Sequence, residues 1–309
     1  MLPKPLKSGD TIGIIAPASP PDMKKLYKAL PFFEKMNLKV KIAPHVEKVH
    51  GYLAGTDEER LNDLHMMFED DSINAIIVAR GGYGTGRIAP YIDYELIKNN
   101  PKIFWGYSDI TYLHTAIRQK TGLVTFHGPM VASDIGESDF HPISKLSFQQ
   151  LFEPITLVYN ENISPLNVIS EGEAAGKIVG GNLSLIVNSL GSPFEIDLDD
   201  KLLFIEDTDE PPYRIDSFLS QLKNAGKLEH IKGVIVGDFN NATPTNNRPS
   251  LTLEEVLTDY FGQLNKPVIS GFKIGHCQPH FAIPLGTEAT LSTKSMSLTI
   301  QPGVDSEGK

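Results

Sequence analysis

The sequence predicts an α/β protein built on a parallel sheet with helices on both faces. Three observations lead there. Short apolar, β-branched runs at 11–17 (TIGIIAP), 73–79 (INAIIVA), 103–106 (IFWG) and 233–237 (GVIVG) read as buried strands. Between them lie segments whose apolar residues recur three and four apart, the period of an amphipathic helix. The polar and glycine-rich loops gather where such strands end, and in parallel sheets binding sites form beyond those carboxyl ends.

The totals allow this. A chain of 309 residues, 40% hydrophobic, supplies one large domain or two ordinary ones. The formal charge, 28 − 38 = −10, comes without a long basic block, so neither nucleic acid nor an anionic membrane is an expected partner. No apolar run approaches the roughly 20 residues of a membrane span, and the first residues lack a secretory apolar region. The lone Cys277 excludes an internal disulfide. The expectation is a soluble, cytoplasmic protein.

The elements follow in order. Residues 11–17 form the first strand. Asp22 caps a helix running to about 36, which Pro31 should kink or interrupt. Residues 37–42 alternate, with Leu38, Val40 and Ile42 facing the core and Lys39 and Lys41 the solvent. Thr56 and Glu59 make a capping box for a helix carrying Leu61, Leu64, Met67 and Phe68 on one face. Residues 73–79 are the third strand, 103–106 the fourth and 124–128 a fifth. From 154 to 173 periodicity fades, which suggests a linker between domains at 1–153 and 174–309.

In the second half, 176–182 is a strand and turn, followed by a helix over 183–190. Residues 201–206 are a strand ending on Glu206. Pro211-Pro212 opens a helix with Ile215, Phe218, Leu219 and Leu222 inward. Strands at 233–237 and 267–271 flank a polar loop at 238–249 and a helix at 253–264. Short strands near 289–291 and 297–300 close the chain.

Two loops carry chemistry. The run Arg80-Gly81-Gly82-Tyr83-Gly84-Thr85-Gly86-Arg87 follows the third strand. It lacks the spacing of a P-loop or of a dinucleotide fingerprint. It reads either as a turn or as a device that brings backbone N–H groups close to a reacting group. After the fourth strand, Gly106-Tyr107-Ser108-Asp109 turns into a helix with Ile110, Leu113 and Ile117 on one face. Ser108 and Asp109 are good N-caps. A serine in this place is most often only a cap, but Ser108 is also a nucleophile candidate, because helix-start N–H groups can hold an oxyanion. Only the first glycine of G-x-S-x-G is present. If the two strands are neighbours, the Asp109 N–H and one from the glycine loop would form the two halves of an oxyanion hole.

A nucleophile needs a base and an orienting acid. Glu206 ends an apolar strand, which favours burial and so a partner. His276 sits in a glycine-flanked loop, and His280 competes with it. Adjacent residues on an extended chain face opposite sides, which disfavours a Cys277–His276 dyad. A metal site is disfavoured too: Pro279 opposes a helix between His276 and His280, and no H-E-x-x-H exists.

Several segments in this order resemble the LD-carboxypeptidase family of serine peptidases: GDTIGIIAP at 9–17, the run 51–60, ARGGYG at 79–84, GYSD at 106–109, GGNL at 180–183, LFIED at 203–207 with PYRID at 212–216, and Gly275-His276. The resemblance spans nearly the whole chain. It implies an N-terminal α/β sandwich and a smaller, β-rich C-terminal domain with the active site in the groove between them. It also implies a Ser108 nucleophile, His276 base and Glu206 acid, and an oxyanion hole of the Gly82 and Asp109 backbone N–H groups. The implied chemistry is metal-free and cofactor-free acyl transfer, releasing the terminal D-alanine of a murein tetrapeptide, in a homodimer. Arg80 and Arg87 flank the glycine loop; Arg80 is the candidate for holding the substrate's terminal carboxylate. Two alternatives stand beside it: a peptidase of the microcin C immunity type acting on peptidyl-nucleotides, and a non-catalytic nucleotide-binding α/β protein. The loop at 238–250 is short and has Phe239 as its one aromatic residue, which favours murein.

Overall fold

In the computed structural model, which describes residues 1–244 and 249–306, the chain forms two compact units. The first comprises Met1–Ile155 with Phe281–Pro284 and the chain end from Pro302, and the second comprises Thr156–His280 and Leu285–Gln301.

In the first unit the elements are β1 (Thr11–Ile15), α1 (Met23–Glu34), β2 (Lys39–Ile42), α2 (Asp57–Glu69), β3 (Ile73–Val78), α3 (Thr85–Ile88), α4 (Tyr94–Asn99), β4 (Ile103–Gly106), α5 (Thr111–Thr121), β5 (Thr125–His127) and α6 (Pro142–Leu146). The strands stand in the order β5-β4-β3-β1-β2, and each of these neighbouring pairs is parallel. The central strands β3 and β4 are almost wholly buried, as their continuous apolar runs require. Edge strand β2 alternates exposed lysines with half-buried Val40 and Ile42. Trp105 of β4 anchors this core. It is fully buried, stacks on Phe148 at 4.4 Å, and donates from Nε1 to the Pro129 carbonyl at 2.7 Å. Capping is as expected at Asp22 and in the Thr56–Glu59 box. Pro31 does not interrupt α1. It lies in the last turn, and the helix carries on to Glu34.

In the second unit the elements are β6 (Leu157–Asn160), β7 (Asn167–Ser170), β8 (Glu173–Asn182), α7 (Leu183–Asn188), β9 (Lys201–Thr208), α8 (Pro212–Asn224), β10 (Gly233–Asn240), α9 (Leu253–Phe261), β11 (Val268–Ser270), β13 (Glu288–Ser292) and β14 (Ser297–Ile300). The intervening β12 (Ile283–Leu285) joins the first unit's sheet beside β5. The second sheet has the order β6-β14-β13-β8-β9-β10-β11-β7. Its centre, β8-β9-β10-β11, is parallel and the flanking pairs are antiparallel. Ile215, Phe218, Leu219 and Leu222 of α8 pack on this sheet together with Val256, Leu257 and Phe261 of α9.

Three expectations need correction. Residues 154–173 are not a linker: they contain β6 and β7, the two outermost strands of the second sheet. Edge strands bury few side chains, Tyr159 alone in β6 and Ser170 alone in β7, so no periodicity marks them. The C-terminal domain does not run unbroken from 174 to 309, because Phe281–Pro284 and the chain end belong to the first unit. The strand expected at 233–237 continues to Asn240 through a register shift against β9, so the loop begins later than residue 238. Residues 245–248 of that loop lie outside the described residues.

Candidate active site

Ser108 follows the buried strand β4 and opens a 3-10 turn that leads into α5. Neither the turn nor α5 has a side-chain cap, so Ser108 is not the helix cap that its position allowed. Its backbone is left-handed, with φ 65°. That conformation costs a non-glycine residue on the order of 1 kcal/mol or more and commonly marks functional sites. A serine on such a strand-to-helix turn is lifted out of the sheet towards reactants, as in a nucleophile elbow.

The glycine loop lies against this turn. A Cβ on Gly81 would sit 2.8 Å from the Ser108 Cβ and 3.1 Å from its Oγ, so the close approach requires glycine. Gly82, at φ 110°, is exposed, and its N–H donates to no acceptor among the described residues. An N–H group presented in this way can receive an anionic oxygen. Ser19 secures the loop entrance: its N–H donates to the Gly81 carbonyl at 3.2 Å, and its Oγ accepts from the Tyr83 N–H at 3.2 Å. At the exit, the Thr85 N–H donates to Asp109 Oδ2 at 2.8 Å, and Thr85 Oγ1 donates to the Asp109 carbonyl at 2.7 Å. The loop and the serine turn are therefore tied directly together. Burial pushes the Asp109 carboxyl up to about 6, against the pull of the Thr85 bonds.

In the second unit, Glu206 ends the apolar run of β9 and is fully buried. Its Oε2 lies 2.7 Å from His276 Nδ1. A carboxylate only accepts, so Nδ1 carries the proton and the lone pair is on Nε2, the tautomer a general base needs. Two glycines make room for the pair. A Cβ on Gly275, at φ 123°, would lie 2.6 Å from Glu206 Oε2, and one on Gly237 would lie 3.2 Å from the Glu206 Cβ. His280, the competing histidine, is buried at 2% exposure. Cys277 turns its Sγ to the Pro279 carbonyl.

Asp207, beside Glu206, has an anchoring role that is not visible in the sequence. It accepts from Asn182 Nδ2, the Thr208 N–H and the Ser184 N–H, each at 2.9 Å, and so joins the end of β9 to the start of α7. Burial, and then the neighbouring Glu206 charge, push its carboxyl from 3.8 up to about 6. The fold therefore favours the neutral acid. Its contribution to stability is complete below pH 3.8 and is lost as pH rises through about 6, a change of about 3 kcal/mol. The stability advantage of the wild type over Asp207→Asn is expected to shrink by that order between pH 4 and 7, as measured by urea unfolding. A difference that stays constant over this range would mean that Asp207 titrates normally.

Of the two flanking arginines, Arg87 is committed to Asp57, with Nε to Oδ1 at 2.9 Å and Nη2 to Oδ2 at 2.7 Å. Arg80 is exposed and donates from Nη1 to the Pro20 carbonyl at 3.2 Å. No group of three or more His, Cys, Asp or Glu side chains among the described residues could hold a metal ion. No helix among them is long and apolar enough to cross a membrane.

The family models for the LD-carboxypeptidase N-terminal and C-terminal domains match residues 12–128 and 175–291. The chain belongs to the LD-carboxypeptidase family. This LD-carboxypeptidase is 56% identical over 306 residues to a probable murein peptide carboxypeptidase of Bacillus subtilis, covering 99% of this chain and 96% of the relative. It is 28% identical over 338 residues to the microcin C7 self-immunity protein of Escherichia coli, covering 97% and 96%. The crystal structure of muramoyltetrapeptide carboxypeptidase from Oxalobacter formigenes matches it with a TM-score of 0.84 at 27% identity, over 94% of this chain and 98% of that one. The segments carrying Ser108, the glycine loop, Glu206 and His276 all fall inside the two matched domains.

Sequence reasoning missed Ser19, Arg60, Thr85 and Asp207. Each is a polar residue whose role depends on a partner distant in the chain. Thr85 within the glycine loop and Asp207 beside Glu206 could have been suspected from their neighbours, whereas nothing in the sequence around Ser19 or Arg60 points to the loop.

Proposed function

We propose that this LD-carboxypeptidase is a metal-independent serine enzyme that removes the terminal D-alanine from murein tetrapeptides by cutting the bond after an L-centre. The observation that carries the reading is the buried Glu206 carboxylate 2.7 Å from His276 Nδ1, the orienting half of a catalytic triad. Kinship with the murein peptide carboxypeptidase of Bacillus subtilis supports the substrate class.

In this mechanism His276 Nε2 takes the Ser108 Oγ proton as Oγ bonds to the scissile carbonyl carbon. The carbonyl oxygen becomes an oxyanion held by the Gly82 and Asp109 backbone N–H groups. As the carbon–nitrogen bond breaks, the His276 proton passes to the departing D-alanine amine. Water then adds to the acyl carbon, giving a proton to His276. The ester bond to Oγ breaks, and that proton returns to Ser108. Glu206 stays ionised and stabilises the imidazolium. Arg80 is the proposed anchor for the substrate's terminal carboxylate. The same reading takes the protein as a cytoplasmic homodimer.

The test is incubation with L-Ala-γ-D-Glu-meso-diaminopimelate-D-Ala, with and without EDTA, and detection of D-alanine by mass spectrometry. Equal release in both supports the reading. No release from this peptide or its lysine form overturns it, and cleavage of a peptidyl-nucleotide instead would assign the immunity-type activity. Loss of release with EDTA overturns the metal-independent mechanism.

A further inference from the structure

The glycine loop poses a physical problem. Gly82 and Gly84 both hold left-handed backbone, φ 110° and 131°. Glycine reaches such conformations at little cost, but it also leaves them easily. An oxyanion hole works because its donors are fixed before the charge develops. Something must therefore hold the loop still, and Arg60 is placed to do it.

Arg60 lies in the first turns of α2 and is 1% exposed. Its Nη1 donates to the Gly84 carbonyl at 2.9 Å and also to the Pro17 carbonyl, just ahead of Ser19. Its Nη2 donates to Asp57 Oδ1, and the same carboxylate grips Arg87 beyond the loop. A Cβ on Gly84 would lie 2.6 Å from Leu53 Cδ2 and 2.9 Å from Arg60 Nη1, so the Leu53 side chain and the guanidinium together fill the space that glycine leaves. One side chain thus reaches the bend after β1, the middle of the loop and, through Asp57, Arg87 at the loop's far end. The residue after Gly84 is Thr85, whose two bonds hold Asp109 next to Ser108.

We propose that Arg60, a residue that touches no substrate, is a positioning residue for the oxyanion hole. It acts through Gly84 and Thr85 to fix the Gly82 and Asp109 N–H groups. This deepens the serine-peptidase reading and rests on it. The planar fork is what the role needs, since an ammonium cannot hold three acceptors in those directions.

The test compares Arg60→Lys and Asp57→Asn with the wild type. The readouts are kcat and KM for D-alanine release, the inhibition constant of a peptide aldehyde ending at the third residue, and active-site titration with a fluorophosphonate. The aldehyde's adduct with Ser108 places an oxyanion in the hole, whereas KM reports the ground state. Arg60→Lys is expected to lower kcat per titrated site by roughly 10- to 100-fold and to weaken the aldehyde in parallel, with KM changed by less than about threefold. Asp57→Asn, which leaves the Gly84 and Pro17 bonds in place, should shift the same quantities in the same direction by less. It decides the matter if Arg60→Lys does not fold. Unchanged kcat and aldehyde affinity per titrated site in the folded variants overturn the inference, as does a loss that follows only the titrated fraction. Failure of the wild type to release D-alanine would instead overturn the reading beneath it.

Discussion

Replacing Ser108 by alanine is expected to lower kcat for D-alanine release by roughly 10⁴-fold or more while the protein stays folded. The size follows from the chemistry: without Oγ no acyl-enzyme can form, and the proton that His276 would take is gone with it. The preserved fold follows from the backbone. Ser108 sits at φ 65°, where alanine is strained about as much as serine, so the exchange adds little new strain. It also leaves the Cβ that packs against Gly81. Near-ultraviolet circular dichroism and the melting temperature should match the wild type. D-alanine release within tenfold of wild type by the folded variant would show that Ser108 is not the nucleophile.

Glu206→Gln is expected to lower kcat by about 10³- to 10⁴-fold, with KM nearly unchanged. The substitution keeps the volume, so the tight space between Gly275 and Gly237 is still filled. What changes is which atoms donate. The carboxylate accepts from His276 Nδ1 at 2.7 Å. An amide nitrogen in that place donates, which draws the lone pair to Nδ1 and moves the proton to Nε2. The imidazole then has no lone pair to offer a serine hydroxyl. The buried negative charge that would stabilise an imidazolium is lost as well. Steady-state kinetics beside a thermal melt would test this. Activity within about tenfold of wild type in a folded Glu206→Gln protein would mean that the pair is structural.

The parts legible in the sequence are those whose cause is local. The strands β1, β3 and β4 appear as continuous apolar runs because both faces of a central parallel strand are buried. The Thr56–Glu59 capping box reads directly because its partners are three residues apart. Ser108 stood out because a strand end and a helix start meet there within a few residues. Glu206 and His276 stood out locally as candidates, but pairing them, and choosing His276 over His280, took the family's motifs, since nothing in their own neighbourhoods links two residues 70 positions apart.

Edge strands β6 and β7 resisted reading because each buries a single side chain, which leaves no period to detect. Residues 281–284 carry too few residues to announce that the chain returns to the first sheet as part of β12. The network around the glycine loop was out of reach for a related reason. Thr85 and Asp109 are 24 residues apart, as are Arg60 and Gly84, and Ser19 and Tyr83 are 64 apart. By itself the sequence determined the strand-and-helix alternation, the family, and which side chains have the chemistry for acyl transfer. The tertiary structure alone decided that Ser108 takes a left-handed backbone instead of capping a helix, and that Glu206 selects one histidine. It also decided that a buried arginine grips the glycine loop. Hydrogen bonds of about 3 Å between residues far apart in the chain exist only once packing has brought their strands and helices together.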